Sequence, residues 1–208
     1  MNNHLYNFDR AFAEKYESGV VIAGIDEAGR GCLAGDVFAA AVILPDECTI
    51  IGIDDSKKLS AKKREFLYDE IIAQSKSYAI ATATVEEIEE INILQAALLA
   101  MKRAYEALKL TVPHIVLVDG NAEPKLTNNH QLPIVNCIIS GDAKSSSIAA
   151  ASVLAKVARD RYMVELDKQY PEYQFSKHKG YGTKLHKELI LKHGITPVHR
   201  KSFLKKII

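Results

Sequence analysis

Two adjacent carboxylates follow an apolar run near the start of the chain, and this combination constrains the fold more than any other feature. The run Val20-Val21-Ile22-Ala23 predicts a buried strand, and Asp26 and Glu27 follow it within the segment Gly24-Ile25-Asp26-Glu27-Ala28-Gly29-Arg30-Gly31. Two negative charges at the end of a buried strand are costly unless a cation lies beside them. Hard divalent cations bind carboxylate oxygens, and glycines let the backbone approach a ligand closely. The segment therefore predicts a metal site beside a site for a sugar or phosphate.

Two more acidic residues follow predicted strands further along the chain. The stretch from His114 to Val118 leads into Asp119, and the stretch from Ile134 to Ile139 leads into Asp142. Each aspartate alone is readily explained as a turn or helix cap. Ligand sites in open α/β sheets tend to lie at the carboxyl ends of strands, so we expect the four acids to meet. Four carboxylates repel one another unless cations neutralise them. Together they would hold two divalent ions about 4 Å apart, an arrangement that promotes phosphodiester cleavage.

The rest of the pattern predicts an α/β protein. Predicted strands cover Val20–Asp26, Asp36–Leu44, Ser77–Val85, His114–Val118 and Ile134–Ile139. Predicted helices run from Ser60 to about Ser75, from Thr84 through Leu108 and from Lys144 to about Tyr170. The glycine-rich connection between the first two strands favours an antiparallel pair. The two short, fully apolar strands, His114–Val118 and Ile134–Ile139, are typical of the middle of a sheet covered on both faces. We place a soft boundary between a body (1–170) and a helical C-terminal extension (171–208), which is also compatible with a single domain.

The charges of the chain are unevenly distributed. Between Ser176 and Ile208 lie nine of the 27 Lys and Arg residues and one of the 26 acidic residues, Glu188. This asymmetry predicts an acidic metal-binding body and a basic segment that binds a polyanion. A solvated basic helix face is the plainer alternative, and the charge alone does not distinguish DNA from RNA or another acidic partner.

Several protein classes are disfavoured by composition. No apolar run approaches the roughly 18 residues of a membrane helix, and the polar stretch from Met1 to Arg10 lacks the apolar core of a signal peptide. Cys32, Cys48 and Cys137 show no CxxC spacing, which indicates reduced thiols in a cytoplasmic protein. The histidines are scattered along the chain, without an H-E-x-x-H motif, and most are expected at the surface or at caps.

A competing motif lies in the same glycine-rich stretch. The residues from Gly29 to Ala34 fit G-x-G-x-x-[G/A], and Asp54 or Asp55 lies about 20 residues on, as in dinucleotide sites. A dinucleotide-dependent oxidoreductase is therefore an alternative. Against it, the segment that begins at Gly35 is predicted to be a strand instead of a helix. Asp26 and Glu27 would also repel a pyrophosphate.

Five segments in the same order resemble bacterial ribonuclease HII. They are GIDEAGRG, DSKKLS from Asp55, VDGN from Val118, the stretch from Gly141 to Arg161, and HKGYGT from His178. The resemblance runs from about residue 20 to Phe203. It implies a ribonuclease H-like mixed β-sheet flanked by helices, with a C-terminal helical part. It further implies a monomeric endonuclease that uses Mg²⁺ or Mn²⁺, cuts the RNA strand of RNA/DNA hybrids, and cuts 5′ of single ribonucleotides in duplex DNA, leaving a 5′-phosphate.

The resemblance also implies roles for individual residues. The catalytic and metal-binding carboxylates would be Asp26, Glu27, Asp119 and Asp142. The loop whose backbone reads the ribose 2′-hydroxyl would be Gly29, Arg30 and Gly31, and Tyr181 would stack on the next sugar. Lys57, Lys58 and Lys144 are further candidates for substrate binding through phosphate contacts, although a solvated lysine is an equally good interpretation of each.

The chain departs from the family pattern GRGPLAGPV at two positions. Cys32 and Asp36 stand where the family has prolines, so we expect a more flexible loop with extra negative charge near the site.

A catalytically silent binder of hybrid duplexes is a third hypothesis. Divalent-ion titration with a hybrid substrate would separate the hypotheses, because a binder shows affinity without turnover and an oxidoreductase needs a nicotinamide cofactor.

Overall fold

The computed structural model describes residues 4–16, 19–46, 50–54, 56–109, 112–127, 132–205 and 207. The strands are β1 (Ile22–Ala28), β2 (Val37–Ile43), β3 (Ser77–Ala83), β4 (Ile115–Asp119) and β5 (Ile134–Ile138). The α-helices are α1 (His4–Ala13), α2 (Ala61–Gln74), α3 (Val85–Glu106), α4 (Ser146–Gln169), α5 (Phe175–His178), α6 (Lys184–His193) and α7 (Lys201–Leu204). Cys48 and Asp55 lie outside the described residues.

The strands form one mixed sheet in the order β3-β2-β1-β4-β5. β1 is antiparallel to β2, as predicted, and parallel to β4, which is in turn parallel to β5. Helix α3 covers one face and α4 the other, so the predicted α/β fold with a flanked mixed sheet is confirmed. The prediction that the last strand lies inside the sheet is wrong. β5 is an edge strand, and Ile134 is 49% exposed.

Strand β1 is central because its small residues allow a helix to approach it. A Cβ atom at Gly24 would lie 2.1 Å from the backbone of Ser147, in the first turn of α4. Any side chain there would push the helix off the sheet. β1 also extends two residues beyond its predicted end, because Glu27 and Ala28 continue the pairing with β2 that Asp26 makes with Ala40. The two carboxylates are therefore held by strand pairing and do not lie on a free strand end.

The helix starts follow the local sequence. The Ser60 side chain accepts a hydrogen bond from the Lys63 amide at the start of α2. Thr84 and Glu87 form a reciprocal capping box at the start of α3, and Ser145 caps α4. These starts lie within about two residues of the predicted ones. One difference is a break inside α3 at Asn92, whose φ is 66°.

Helix α1 was not predicted, and it supports the start of α4. The carboxylate of Asp9 accepts hydrogen bonds from the Ser146 hydroxyl at 2.7 Å, and from the Ser147 amide and hydroxyl at 2.9 Å each. A negative group at a helix N-terminus is stabilising there. The available signal was the helical spacing of Leu5, Phe8 and Phe12 within an otherwise polar segment.

The residues after α4 pack onto the body. Leu33 and Met163 share a buried cluster with Phe175, Ile190 and Leu204 of the C-terminal part. The boundary at 170/171 stays a prediction, but the two parts have this core in common. No helix within the described ranges is both long and apolar enough to cross a membrane.

Candidate metal centre and substrate loops

Three of the four predicted carboxylates meet at one edge of the sheet. Asp26 comes from β1, Asp119 from the end of β4, and Asp142 from the 3-10 turn Gly141–Ala143 after β5. One oxygen from each of the three lies within 4.8 Å of the others. They meet because β1, β4 and β5 are parallel neighbours, whose carboxyl ends share an edge.

Glu27 does not belong to this group of three. Successive side chains of a strand point to opposite faces, so Glu27 leaves β1 in a different direction from Asp26. Its Oε1 accepts a hydrogen bond from Arg30 Nη1 at 3.2 Å. Burial raises the pKa of Glu27, Arg30 opposes this shift, and the charge of Asp119 adds to it. Glu27 therefore flanks the group closely enough to interact with Asp119.

Buried like charges make the three-carboxylate group a candidate cation site. Asp26 and Asp142 are each 4% exposed. Burial raises the pKa of Asp26 well above its usual value, and repulsion by Glu27 and Asp119 adds to the shift. The pKa of Asp119 is raised by burial and by Asp142. An all-oxygen, anionic donor set fits hard divalent ions such as Mg²⁺ or Mn²⁺.

The predicted lysines differ in how close they come to this group. Lys57 Nζ lies 2.9 Å from Asp142 Oδ2, so this lysine reaches the carboxylates directly. Lys58 pairs with Asp54 at 3.4 Å. Lys144 Nζ donates to the carbonyl of Ile139 at 2.7 Å. Among these three predicted lysines, the structure therefore places Lys57 best for a role next to the acids.

The glycine loop (residues 29–36) joins β1 to β2. Gly29 has a φ of +100°, and a Cβ atom there would lie 2.0 Å from Arg159 Nε. Only glycine fits this position without moving the arginine. Gly31 has open space where a side chain would be, so its backbone is accessible to a ligand. Arg30 is exposed beside Glu27.

Two fully buried arginines hold the glycine loop, and neither is among the predicted site residues. Arg200 donates to the carbonyls of Gly29 at 2.8 Å, Arg30 at 3.0 Å and Gly35 at 2.6 and 2.9 Å. Arg159 donates to the carbonyls of Ala34, Asp36 and Lys179 at 2.9 to 3.1 Å.

The two arginines differ in how far the sequence could have revealed them. Arg159 lies between Ala155 and Met163 on the buried face of α4, which was a usable signal, since an arginine rarely occupies a buried stripe. Arg200 belongs to the basic stretch predicted to bind a polyanion, but its side chain points into the protein.

Cys32 and Asp36, which stand where the family has prolines, each make specific contacts in the glycine loop. Asp36 Oδ1 accepts a hydrogen bond from the Val85 amide at 3.1 Å, so its charge is directed at the N-terminus of α3. Burial raises the pKa of Asp36. Cys32 is fully buried and pairs in a short β-bridge with Tyr181. The expected flexibility of the loop stays a prediction.

Tyr181 lies in the tyrosine loop (residues 179–183), between α5 and α6. Tyr181 is 39% exposed. Lys156 Nζ lies 5.3 Å from the ring centroid, and the Arg159 guanidinium lies 6.0 Å from it. The bridge to Cys32 and the bond from Arg159 to Lys179 tie this loop to the glycine loop. The structure thus joins the two segments that were predicted to bind substrate.

Known proteins match this chain over most of its length. The sequence model of the family described as Ribonuclease HII matches residues 23–206. A protein named Ribonuclease HII from Caldicellulosiruptor saccharolyticus is 56% identical over 187 residues, which span 90% of this chain and 88% of that protein. Another Ribonuclease HII, from Coxiella burnetii, is 55% identical over 195 residues, or 94% of this chain and 93% of that protein. The crystal structure of the ribonuclease H2 from Pyrococcus horikoshii OT3 matches with a TM-score of 0.73 and 27% identity, over 90% of this chain and 97% of that one.

Proposed function

Because this chain belongs to the ribonuclease HII family, and is thus an endoribonuclease, we propose that it hydrolyses the RNA strand of RNA/DNA hybrids. We also propose that it cuts duplex DNA on the 5′ side of a single embedded ribonucleotide. The observation that carries the proposal is the meeting of Asp26, Asp119 and Asp142 within 4.8 Å beside an accessible glycine backbone.

The proposed chemistry follows from the charges around the site. Asp26, Asp119 and Asp142 would hold two divalent ions, Mg²⁺ or Mn²⁺, with Glu27 at their flank. Bound ions would supply an activated water and stabilise charge on the leaving 3′-oxygen, so that cleavage leaves a 5′-phosphate. Lys57, now paired with Asp142, has a side chain that is 76% exposed and could turn to a substrate phosphate.

Recognition of RNA would depend on one ribose. The 2′-hydroxyl is the group that distinguishes RNA from DNA locally. The open backbone at Gly31 can approach a sugar, and Arg200 fixes the carbonyls of Gly29 and Arg30 on the same loop. The half-exposed ring of Tyr181 would stack on the following sugar, where a deoxyribose fits more easily than a ribose. These contacts would mark the RNA-to-DNA junction without a run of RNA.

A DNA duplex with one embedded ribonucleotide should therefore be cut once, on its 5′ side. The test compares matched duplexes with none, one or four ribonucleotides, with products sized on a denaturing gel. The all-DNA duplex is the control and should stay intact. Tyr181→Phe keeps the ring and should reduce cleavage of the single-ribonucleotide duplex less than Tyr181→Ala does. A protein that cuts the four-ribonucleotide duplex and ignores the single one would contradict the proposed junction recognition.

Binding should weaken steeply with salt, because lysines in and beside the tyrosine loop would displace counterions from the nucleic acid. Replacing Lys177, Lys179 and Lys184 by Gln together should reduce the slope of log K against log salt by about 2 to 3. Lys76→Gln, next to β3 at the far edge of the sheet, is the control. Fluorescence anisotropy with a labelled hybrid measures the slope. An unchanged slope in the triple variant would show that these lysines do not contact the backbone.

The alternatives have less support. The glycine loop leads into strand β2, so it lacks the helix N-terminus on which a dinucleotide pyrophosphate would bind. A silent binder would need a damaged acidic site, whereas the three carboxylates are in place.

We further propose that the protein acts as a monomer in the cytoplasm, which light scattering and fractionation would test. Cys32 and Cys137 are free thiols, in agreement with a reducing compartment.

A further inference from the structure

Three histidines of the C-terminal part, His178, His186 and His199, are buried together beneath the tyrosine loop. His178 and His186 stack with ring centroids 4.2 Å apart, and His186 Nε2 lies 3.2 Å from His199 Nε2. Phe175 packs edge-on against His186, and Tyr173 contacts His199. The expectation of mostly surface or capping histidines is wrong for these three, which are at most 7% exposed.

Backbone amides determine which ring nitrogens carry protons. The amide of Thr196 donates to His199 Nδ1 at 3.0 Å, so that nitrogen must be bare and Nε2 must carry the proton of a neutral ring. His199 Nε2–H then donates to His186 Nε2. His186 therefore carries its proton on Nδ1, which donates to the carbonyl of Tyr181 at 3.0 Å. The result is a directional chain of hydrogen bonds from Thr196 to Tyr181.

The third histidine completes the support of the same loop. The amide of Gly180 donates to His178 Nδ1 at 3.2 Å, so His178 Nε2 donates to the carbonyl of Tyr173 at 2.8 Å. Both backbone neighbours Gly180 and Tyr181 are thus bonded to histidines. All three rings must be neutral for this arrangement, because a proton added to His186 Nε2 would face the N–H of His199. Burial agrees with this requirement, since it lowers the pKa of His186 and of His199 to about 4.

We propose that His186 and His199 are positioning residues, which hold the Tyr181 backbone so that its ring faces the substrate. The inference rests on the proposed role of Tyr181 in substrate binding. The chain of hydrogen bonds ends at the Tyr181 carbonyl, and the direction of the Tyr181 side chain follows from the backbone that carries it. Loss of these hydrogen bonds should therefore free the ring to move and weaken binding of the sugar next to the junction.

The first test measures the protonation of the rings in the wild-type protein. Long-range ¹H–¹⁵N spectra of histidine-labelled protein at neutral pH should show a proton on Nδ1 of His186 and on Nε2 of His199 and His178. A His186 ring protonated on Nε2, or on both nitrogens, would overturn the proposal. This result needs neither substrate nor any variant that must fold.

The second test separates a positioning role from a merely structural one. His199→Gln keeps a donor near the position of Nε2, whereas His199→Asn places its amide near Nδ1 and loses that donor. We expect His199→Asn to raise KM for the single-ribonucleotide duplex about tenfold with kcat nearly unchanged, and His199→Gln to raise it less. His193→Asn, exposed on α6, is the matched control.

The Tyr181→Ala background shows whether the effect passes through the ring. If His199 acts by positioning the ring, His199→Asn should change KM less than about twofold in that background. An equal effect with and without the ring would overturn the proposal and indicate general destabilisation. If the wild-type protein cuts none of the ribonucleotide duplexes, the proposed function fails. The ring protonation still decides whether the hydrogen-bond chain exists.

Discussion

Replacing Asp26 by Asn should reduce hybrid cleavage by roughly three orders of magnitude or more, because it removes an anionic ligand from the centre of the proposed metal site. Asp119→Asn should have a similar effect, since its oxygen lies within the same group of three. Initial rates with Mg²⁺ and with Mn²⁺ measure the loss. Asp46→Asn is the control, because the Asp46 side chain is 87% exposed and pairs with Lys76. Near-normal cleavage by either variant would show that this carboxylate is not catalytic.

The Asp26→Asn variant, which should lose activity, should be more stable than the wild type when metal is removed. In the metal-free protein, Asp26 is buried beside Glu27 and Asp119, and its pKa is raised in the folded state. An ionised group under these conditions lowers the stability of the fold at neutral pH. Asp26→Asn removes that charge, so its melting temperature in EDTA should exceed that of the wild type. Added Mg²⁺ or Mn²⁺ should stabilise the wild type more than the variant. A lower melting temperature for metal-free Asp26→Asn would contradict the electrostatic argument.

The helix starts and the meeting of the acids were predicted well because they follow from short-range rules. The capping box at Thr84 and Glu87 and the cap at Ser60 are local signals, and they place the helix starts closely. The convergence of Asp26, Asp119 and Asp142 was predictable because each acid follows an apolar strand, and parallel strands end at a common edge. The length of β1 was not, because its last residues are held by pairing with β2.

The remaining features of the site depend on contacts between distant parts of the chain. Arg200 bonds to Gly29 across 171 positions of sequence, and Asp9 reaches Ser147 across 138. Composition placed Arg200 among the basic residues of a polyanion-binding segment, and nothing in its neighbours indicates burial. The histidine bonds span only 3, 5 and 13 positions of sequence, but their effect at Tyr181 still needs the folded α6. Such contacts determine how the loops are held, and the spacing of apolar residues along the sequence does not reveal them.

Replacing Arg200 by Met should destabilise the protein strongly, even though it exchanges a charged residue for an apolar one of similar length. The carbonyls of Gly29, Arg30 and Gly35 would lose the guanidinium as a donor, and Gly29 would keep the Cys32 amide at 3.3 Å. A buried carbonyl left without a donor costs about 1 to 3 kcal/mol. We expect a loss of about 3 kcal/mol or more. In a protein of this size, that loss lowers the melting temperature by roughly 10 °C.

Arg200→Lys and Lys201→Met distinguish the hydrogen bonds from the charge in this prediction. Arg200→Lys keeps a cation, but a single ammonium cannot span the carbonyls at both ends of the glycine loop, so it should recover only part of the stability. Lys201→Met alters the adjacent exposed residue and should leave the melting temperature nearly unchanged. Cleavage assayed well below the melting temperature should still fall in Arg200→Met, because Gly29 and Arg30 would no longer be fixed at the position where we propose that the loop reads a ribose. If Arg200→Met melts like the wild type and cuts like it, the buried guanidinium does not hold the loop, and the glycine backbone must be ordered by Arg159 and strand pairing alone.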